Sequence, residues 1–107
     1  MTSAMPEPFG GFDWDGGNRE KCVRHGVTIA EIEAMFAGEL RVAPDLKHAD
    51  FEARFIAIGR GASGRPVFLA FAFRTVGGLR SIRPISARYM HDKELARYAP
   101  SRSQAGL

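Results

Sequence analysis

The stretch VFLAFAFR, residues 67–74, decides the fold of this chain, because it has the composition of a strand and a turn signal on either side. On its N-terminal side the glycine-rich segment GRGASGRP, residues 59–66, separates it from a second apolar run at 51–58. On its C-terminal side Gly77-Gly78 is typical of a hairpin turn and leads into LRSIRPISAR, residues 79–88. The three runs predict consecutive antiparallel strands.

Pro84 lies inside the last of these runs and restricts where that strand sits in a sheet. Proline has no backbone N–H to donate to a neighbouring strand, so within sheets it occurs at edges or bulges. We therefore expect residues 79–88 to form an edge strand or to contain a bulge. A further short strand is predicted at residues 40–42, which gives a meander of three or four antiparallel strands.

The first third of the chain predicts a short strand and a helix. The segment FDWD, residues 12–15, alternates apolar and acidic residues, as expected of a strand whose Phe12 and Trp14 face inward. Asp15 is a good N-cap for a helix over residues 16–25, and Gly26 is placed to end it.

Two further helices are predicted from the signals at their ends. Thr28 and Glu31 have the spacing of a capping box and open a second helix, which Gly38 ends. Asp92 is expected to cap a short final helix that Pro100 ends. The apolar face of the second helix is formed by Ile29, Ile32, Met35 and Phe36.

Helices followed by strands predict an α+β fold, with the helices packed on one face of an antiparallel sheet. The other face is then available to a ligand or partner. The 107 residues suffice for one domain. We expect that domain to span residues 9–100, between flexible tails at 1–8 and 101–107.

Charge is distributed unevenly along the chain. Residues 1–50 carry five Lys/Arg against nine Asp/Glu, whereas residues 51–107 carry ten against three. This asymmetry points to an anionic partner for the second half, either nucleic acid or an acidic protein. Nine of the ten basic residues are arginine, whose planar fork grips phosphate with two hydrogen bonds. A general bias of composition toward arginine is the alternative explanation.

Several classes of function find no support in the sequence. The single cysteine allows no disulfide within the chain. The sequence shows neither the pattern of a secretory leader nor an apolar run long enough to span a bilayer. We therefore expect a cytoplasmic protein. His25, His48 and His91 are scattered, which argues against a metal site. No phosphate-binding glycine motif precedes a helix. We therefore expect no cofactor.

Basic and polar residues of the C-terminal half are the candidate site. Arg74 ends one predicted strand, Arg80 and Arg83 lie on its hairpin partner, and Arg88 follows where that strand ends. Spacing alone leaves open which of these arginines face the same side, because a bulge near Pro84 would alter the alternation. The other candidates are Glu94 and Tyr98, which share a helix face, and His25, at a helix end where a proton-transfer role is conceivable.

Several short motifs together resemble the BrnT family of toxins from bacterial type II toxin–antitoxin systems. The resemblance covers about residues 12 to 98. No single motif is specific, but their order is fairly specific. The motifs are FDWD at 12–15, RHGV at 24–27, EARF at 52–55, IGR at 58–60, IRPISAR at 82–88, and Glu94 with Tyr98.

The resemblance implies a fold like that of the RelE superfamily and metal-independent cleavage of RNA that stops translation. It also implies a BrnA-like antitoxin, which joins two toxins through an antitoxin dimer into a heterotetramer. DNA would then be contacted only through the antitoxin, and no membrane would be involved.

Roles for the candidate residues follow from the resemblance and from the chemistry of RNA cleavage. Arg83 and Arg88, with Arg74, are expected to bind and stabilise phosphate, and His25 or Glu94 to transfer protons. The residues expected to contact RNA besides these are Arg80, Arg97 and Tyr98. The alternative is a catalytically silent homologue that binds the antitoxin as a co-repressor. Direct DNA binding is disfavoured because the basic residues lie mostly on strands.

Overall fold

Five strands form one sheet in the order β1-β5-β4-β3-β2 in the computed structural model, which describes residues 9–48 and 52–97. The predicted tails, Pro100 and Tyr98 lie outside the described residues. Within these described residues, three helices and one 3₁₀ turn at Leu46–His48 accompany the sheet. The elements are β1 (Phe9–Phe12), α1 (Gly16–Val23), α2 (Ile29–Met35), β2 (Leu40–Pro44), β3 (Arg54–Arg60), β4 (Pro66–Val76), β5 (Leu79–Tyr89) and α3 (residues 92–97).

The predicted antiparallel meander is present as β2 to β5, and the α+β class is confirmed. The expectation of a purely antiparallel sheet was wrong, because β1 pairs with β5 in parallel and makes the sheet mixed. The first strand also lies earlier than expected, at Phe9–Phe12. Residues 13–15 leave it because the Asp13 N–H donates to the Ile82 carbonyl at 2.8 Å and Asp15 caps α1.

Pro84 is accommodated by a bulge and not by an edge. Ser86 lies opposite Ala70 and Pro84 opposite Phe71, so Ile85 is an extra residue in β5. The strand itself is internal, between β1 and β4. Since β1 extends only as far as Ile82 along β5, the missing N–H of Pro84 falls beyond that pairing.

The core lies between the helices and one face of the sheet. Val67, Leu69 and Phe71 alternate along β4 and are fully buried against Ile32 and Met35 of α2. The Phe71 ring is central, with the rings of Phe36, Phe55 and Phe73 at 5.3–5.7 Å between centroids. Side chains of even number on β4, from Phe68 to Arg74, therefore lie on the opposite face.

The N-caps of α1 and α2 lie where the sequence predicts them, but other details of the helix ends differ. Asp15 caps α1, which ends at Val23, two residues before the predicted end, and Gly26 follows with φ +94°. Thr28 caps α2 by accepting from the Glu31 N–H at 3.1 Å. The Glu31 carboxylate does not complete a capping box. It accepts instead from the N–H and hydroxyl of Ser63, at 2.7 and 3.0 Å.

The contact between Glu31 and Ser63 joins α2 to the turn between β3 and β4. Glu31 is buried, and its carboxylate and backbone carbonyl both lie against the Cα of Gly61, where a side chain would have no room. None of the helices in the described part of the chain is long and apolar enough to cross a lipid bilayer.

Replacing Gly61 with alanine is expected to destabilise the protein by about 1–3 kcal/mol. The added Cβ would collide with the Glu31 carboxylate and lie 3.0 Å from the Glu31 carbonyl oxygen. Urea unfolding followed by circular dichroism measures the change. Gly38→Ala is the matched control, because nothing lies within 4 Å of a Cβ built there. Equal unfolding midpoints for the two variants would contradict the prediction.

Candidate functional site

A cleft of about 260 Å³ opens beside the bulge of β5. Three elements line it, and three of its side chains are cationic against one carboxylate. The lining residues are Gly17, Asn18 and Lys21 of α1, Glu52 and Arg54 at the start of β3, and Arg83, Pro84 and Ile85 of β5.

Strand register explains why two arginines meet at this cleft. Arg54 of β3 and Arg83 of β5 both lie opposite Ala72 of β4, so they flank it on the same face. Strands two apart in a sheet are separated by about 10 Å. Ala72 between them is fully buried and has a small side chain.

Arg83 is oriented by two aspartates from the loop between β1 and α1. One terminal nitrogen donates to the Asp15 carboxylate at 2.7 Å, and the other lies 3.5 Å from the Asp13 carboxylate and from the Asp13 carbonyl. The side chain is 21% exposed. The hydrogen bond to Asp15 raises the pKa of Arg83. The pKa of Asp15 is lowered, first by the Asn18 N–H and then by Arg83.

Asn18 connects the three elements that hold Arg83 in place. Its amide nitrogen donates to the carbonyls of Asp13 and Pro84, both at 2.9 Å, and its amide oxygen accepts from the Asp15 N–H at 2.7 Å. The residue is buried, so each of these bonds would be costly to lose. The spacing of Asp15 and Asn18 as a capping pair was the signal in the sequence that could have identified it.

Arg74 reaches the cleft through an ion pair. Its Nε lies 3.5 Å from one carboxylate oxygen of Glu52, and both side chains are close to half exposed. Such exposed pairs contribute little to stability. The contact therefore orients Glu52 more than it holds the fold together.

Arg88 and Glu94 form a second cluster, about 15 Å from Arg83 along β5. The guanidinium donates to both carboxylate oxygens of Glu94, at 2.9 and 2.6 Å, and stacks 4.5 Å from the centroid of the Phe68 ring. The hydrogen bonds from Arg88 are the main cause of the lowered pKa of Glu94. The contact between these two residues attaches α3 to the sheet.

The remaining candidates lie away from the cleft. His25 is exposed in the turn after α1, and Arg97 is exposed on α3. Arg80 stacks 4.4 Å from the centroid of the Phe73 ring near the other end of β5. Tyr98 lies outside the described residues. The sequence did not identify four residues at this site as candidates, namely Asp13, Asn18, Lys21 and Arg54.

Other reactive groups in the described residues give no second site. Cys22 is buried in the core, and burial raises its pKa to about 11, so its thiol stays protonated at neutral pH. Within residues 9–48 and 52–97 no three potential metal-ligating side chains cluster.

Asp15→Asn is expected to lower stability in a pH-dependent way. The substitution keeps an N-cap acceptor but removes the charge that pairs with Arg83. Because the pKa of Asp15 lies below its ordinary value of 3.8 in the folded chain, its charge stabilises the fold fully above that pH. The stabilisation is lost as the pH falls through the lowered pKa.

Unfolding of the wild type and the variant at about pH 7 and at about pH 2 measures this effect. The variant should be less stable near neutrality, and the difference should shrink in acid. Glu20→Gln on the exposed surface of α1 is the control, and its difference in stability from the wild type should not shrink in acid. A difference for Asp15→Asn that stays constant in acid would contradict the prediction.

Comparison with known proteins relates the chain to a described protein family. No curated protein matches the chain. A family model described as the ribonuclease toxin, BrnT, of type II toxin–antitoxin systems matches residues 14–94, well over half of the chain. The matched region runs from the loop that holds Arg83 to Glu94, so it includes the cleft and the contact of Arg88 with α3. The chain therefore belongs to the BrnT family of ribonuclease toxins of type II toxin–antitoxin systems.

Proposed function

We propose that this protein is an active endoribonuclease that cleaves RNA in the cleft beside β5 without a metal ion, and so inhibits translation. The observation that carries the proposal is the convergence of Lys21, Arg54 and Arg83 on one cleft. Three cations around a concave surface concentrate positive potential there and so attract a phosphodiester. The family match supports the reaction class.

Arg83 has the central role in the proposed site. RNA cleavage by the neighbouring 2′-hydroxyl places extra negative charge on the phosphate oxygens in the transition state. A guanidinium held by Asp13 and Asp15 needs no reorientation when that charge develops. Arg54, on the other side of Ala72, supplies a second guanidinium group that can donate two hydrogen bonds to the same phosphate.

Residues outside the cleft extend the RNA-binding surface in this proposal. Arg88 is exposed enough to contact a neighbouring phosphate while Glu94 orients it. We assign the same supporting role to Arg80, Arg97 and Tyr98. Glu94 is a poor proton acceptor, because both of its oxygens already accept from Arg88. His25 does not line the cleft.

A partner antitoxin follows from membership of a type II family. We propose that it resembles BrnA, that two toxins join through an antitoxin dimer, and that the complex contacts DNA only through the antitoxin. The proposed site of action is the cytoplasm, where RNA and ribosomes are accessible.

A silent co-repressor is the second candidate, and one observation favours it. Each of Arg74, Arg83 and Arg88 already pairs with a carboxylate of its own chain. Cations neutralised in this way attract phosphate less strongly, and a toxin homologue could use them only to hold its own fold and its antitoxin.

Induction of the chain in a bacterial host tests the proposal. Wild-type protein should arrest growth and fragment RNA, and co-expression of the antitoxin should relieve both. Arg54→Ala and Arg83→Ala should each abolish arrest, and each should reduce the salt dependence of RNA binding by about one unit of slope. Lys93→Ala, which removes an exposed cation from α3, is the matched control and should leave arrest intact.

The outcomes separate the two candidates. Retained antitoxin binding by an Arg83→Ala, Arg88→Ala double variant that no longer arrests growth would support the ribonuclease. Soluble, folded wild type that neither arrests growth nor fragments RNA would favour the co-repressor, and loss of antitoxin binding in the double variant would then place the arginines at the partner interface.

A further inference from the structure

Glu52 is the one carboxylate among the described residues that line the cleft. RNA cleavage without a metal requires a group that removes the proton of the attacking 2′-hydroxyl. We propose that Glu52 is this proton acceptor, an assignment that rests on the proposed ribonuclease function.

The position of Glu52 fits the role. It precedes β3 and lines the same cleft as Arg54, which lies two residues further along the chain. Arg83 lines that cleft from β5, two strands away. A ribose whose phosphate sits between the two arginines would thus have a carboxylate beside it.

The environment of Glu52 leaves it available for proton transfer. Its single described ion pair joins one oxygen, Oε1, to the Nε of Arg74 at 3.5 Å. No partner of the other oxygen is found among the described residues. The side chain is 40% exposed, so a substrate can reach it. Arg74 is then a positioning residue, which aims the carboxylate through one oxygen.

Among the described residues, the other carboxylates near the arginines and the candidate histidine are already engaged or distant. Asp15 caps α1 and binds Arg83, and Asp13 is the second partner of Arg83. Both oxygens of Glu94 accept from Arg88 in the second cluster. His25 is exposed in the turn after α1 and does not line the cleft.

The proposed step is balanced without a further reactant. The 2′-hydroxyl gives its proton to the Glu52 carboxylate, and the 2′-oxygen forms a bond to phosphorus. The bond from phosphorus to the 5′-oxygen breaks, and the leaving oxygen takes a proton from water. The products are a 2′,3′-cyclic phosphate and a 5′-hydroxyl end, and Glu52 returns its proton to solvent.

Single-turnover cleavage of a short single-stranded RNA, offered free and bound to ribosomes, tests the assignment. Glu52→Gln keeps the size of the side chain and should lower the cleavage rate about 10²–10⁴-fold. Glu39→Gln, at an exposed glutamate before β2, is the matched control and should match the wild type. Glu52→Asp restores a carboxylate and should recover part of the lost rate.

A modified substrate separates the proton acceptor from a proton donor. When sulfur replaces the 5′-bridging oxygen, the leaving group no longer needs a proton. The defect of Glu52→Gln should persist on this substrate if the carboxylate takes the 2′-proton. A defect that disappears, or a Glu52→Gln variant as fast as the wild type on ordinary RNA, would overturn the assignment while leaving the ribonuclease function intact. A wild type that cleaves neither form of the RNA would overturn both.

Discussion

The buried side chain of Asn18 is the contact on which the arrangement of the cleft depends. It joins the first turn of α1, the loop that carries Asp13 and Asp15, and the carbonyl of Pro84 in the β5 bulge. These three pieces determine where the guanidinium of Arg83 lies. One amide can hold them together because it offers two donors and an acceptor at a site that excludes water. The same residue completes the capping box of α1, so the start of the helix and the geometry of the cleft are stabilised together.

The bulge at Pro84 gives β5 two functions along one strand. Before the bulge, Arg83 lies opposite Ala72 and shares a face with Arg54. After the bulge, Arg88 lies opposite Phe68 and binds α3 through hydrogen bonds to Glu94. Five residues apart, the two arginines would point to opposite faces of a regular strand, and the extra residue at Ile85 brings both to the face that carries Ala72 and Phe68. Proline fits here because no neighbouring strand requires its missing N–H.

The unequal charge of the two halves of the chain has a structural explanation. Some acidic residues of the first half form ion pairs with the basic second half. Asp13 and Asp15 bind Arg83, which lies about 70 positions later in the sequence. The second half is therefore less available as a free basic surface than its composition indicates. Lys21, Arg54 and Arg83 nevertheless converge on one cleft, and this local concentration of charge matters more to a phosphate than the net charge of either half.

The sequence by itself determined the α+β class, the hairpin at Gly77-Gly78, the caps at Asp15 and Thr28, a bulge or edge at Pro84, and the resemblance to the BrnT family. These features depend on local backbone preferences, which neighbouring residues determine, and on the order of short motifs along the chain. Only the tertiary structure decided that β1 joins β5 in parallel, that Glu31 binds Ser63, and that Arg83 pairs with Asp13 and Asp15. The same is true of the cleft that brings Lys21, Glu52 and Arg54 to Arg83. Each of these contacts joins residues far apart in sequence, and strand register together with one extra residue at Ile85 sets which side chains meet.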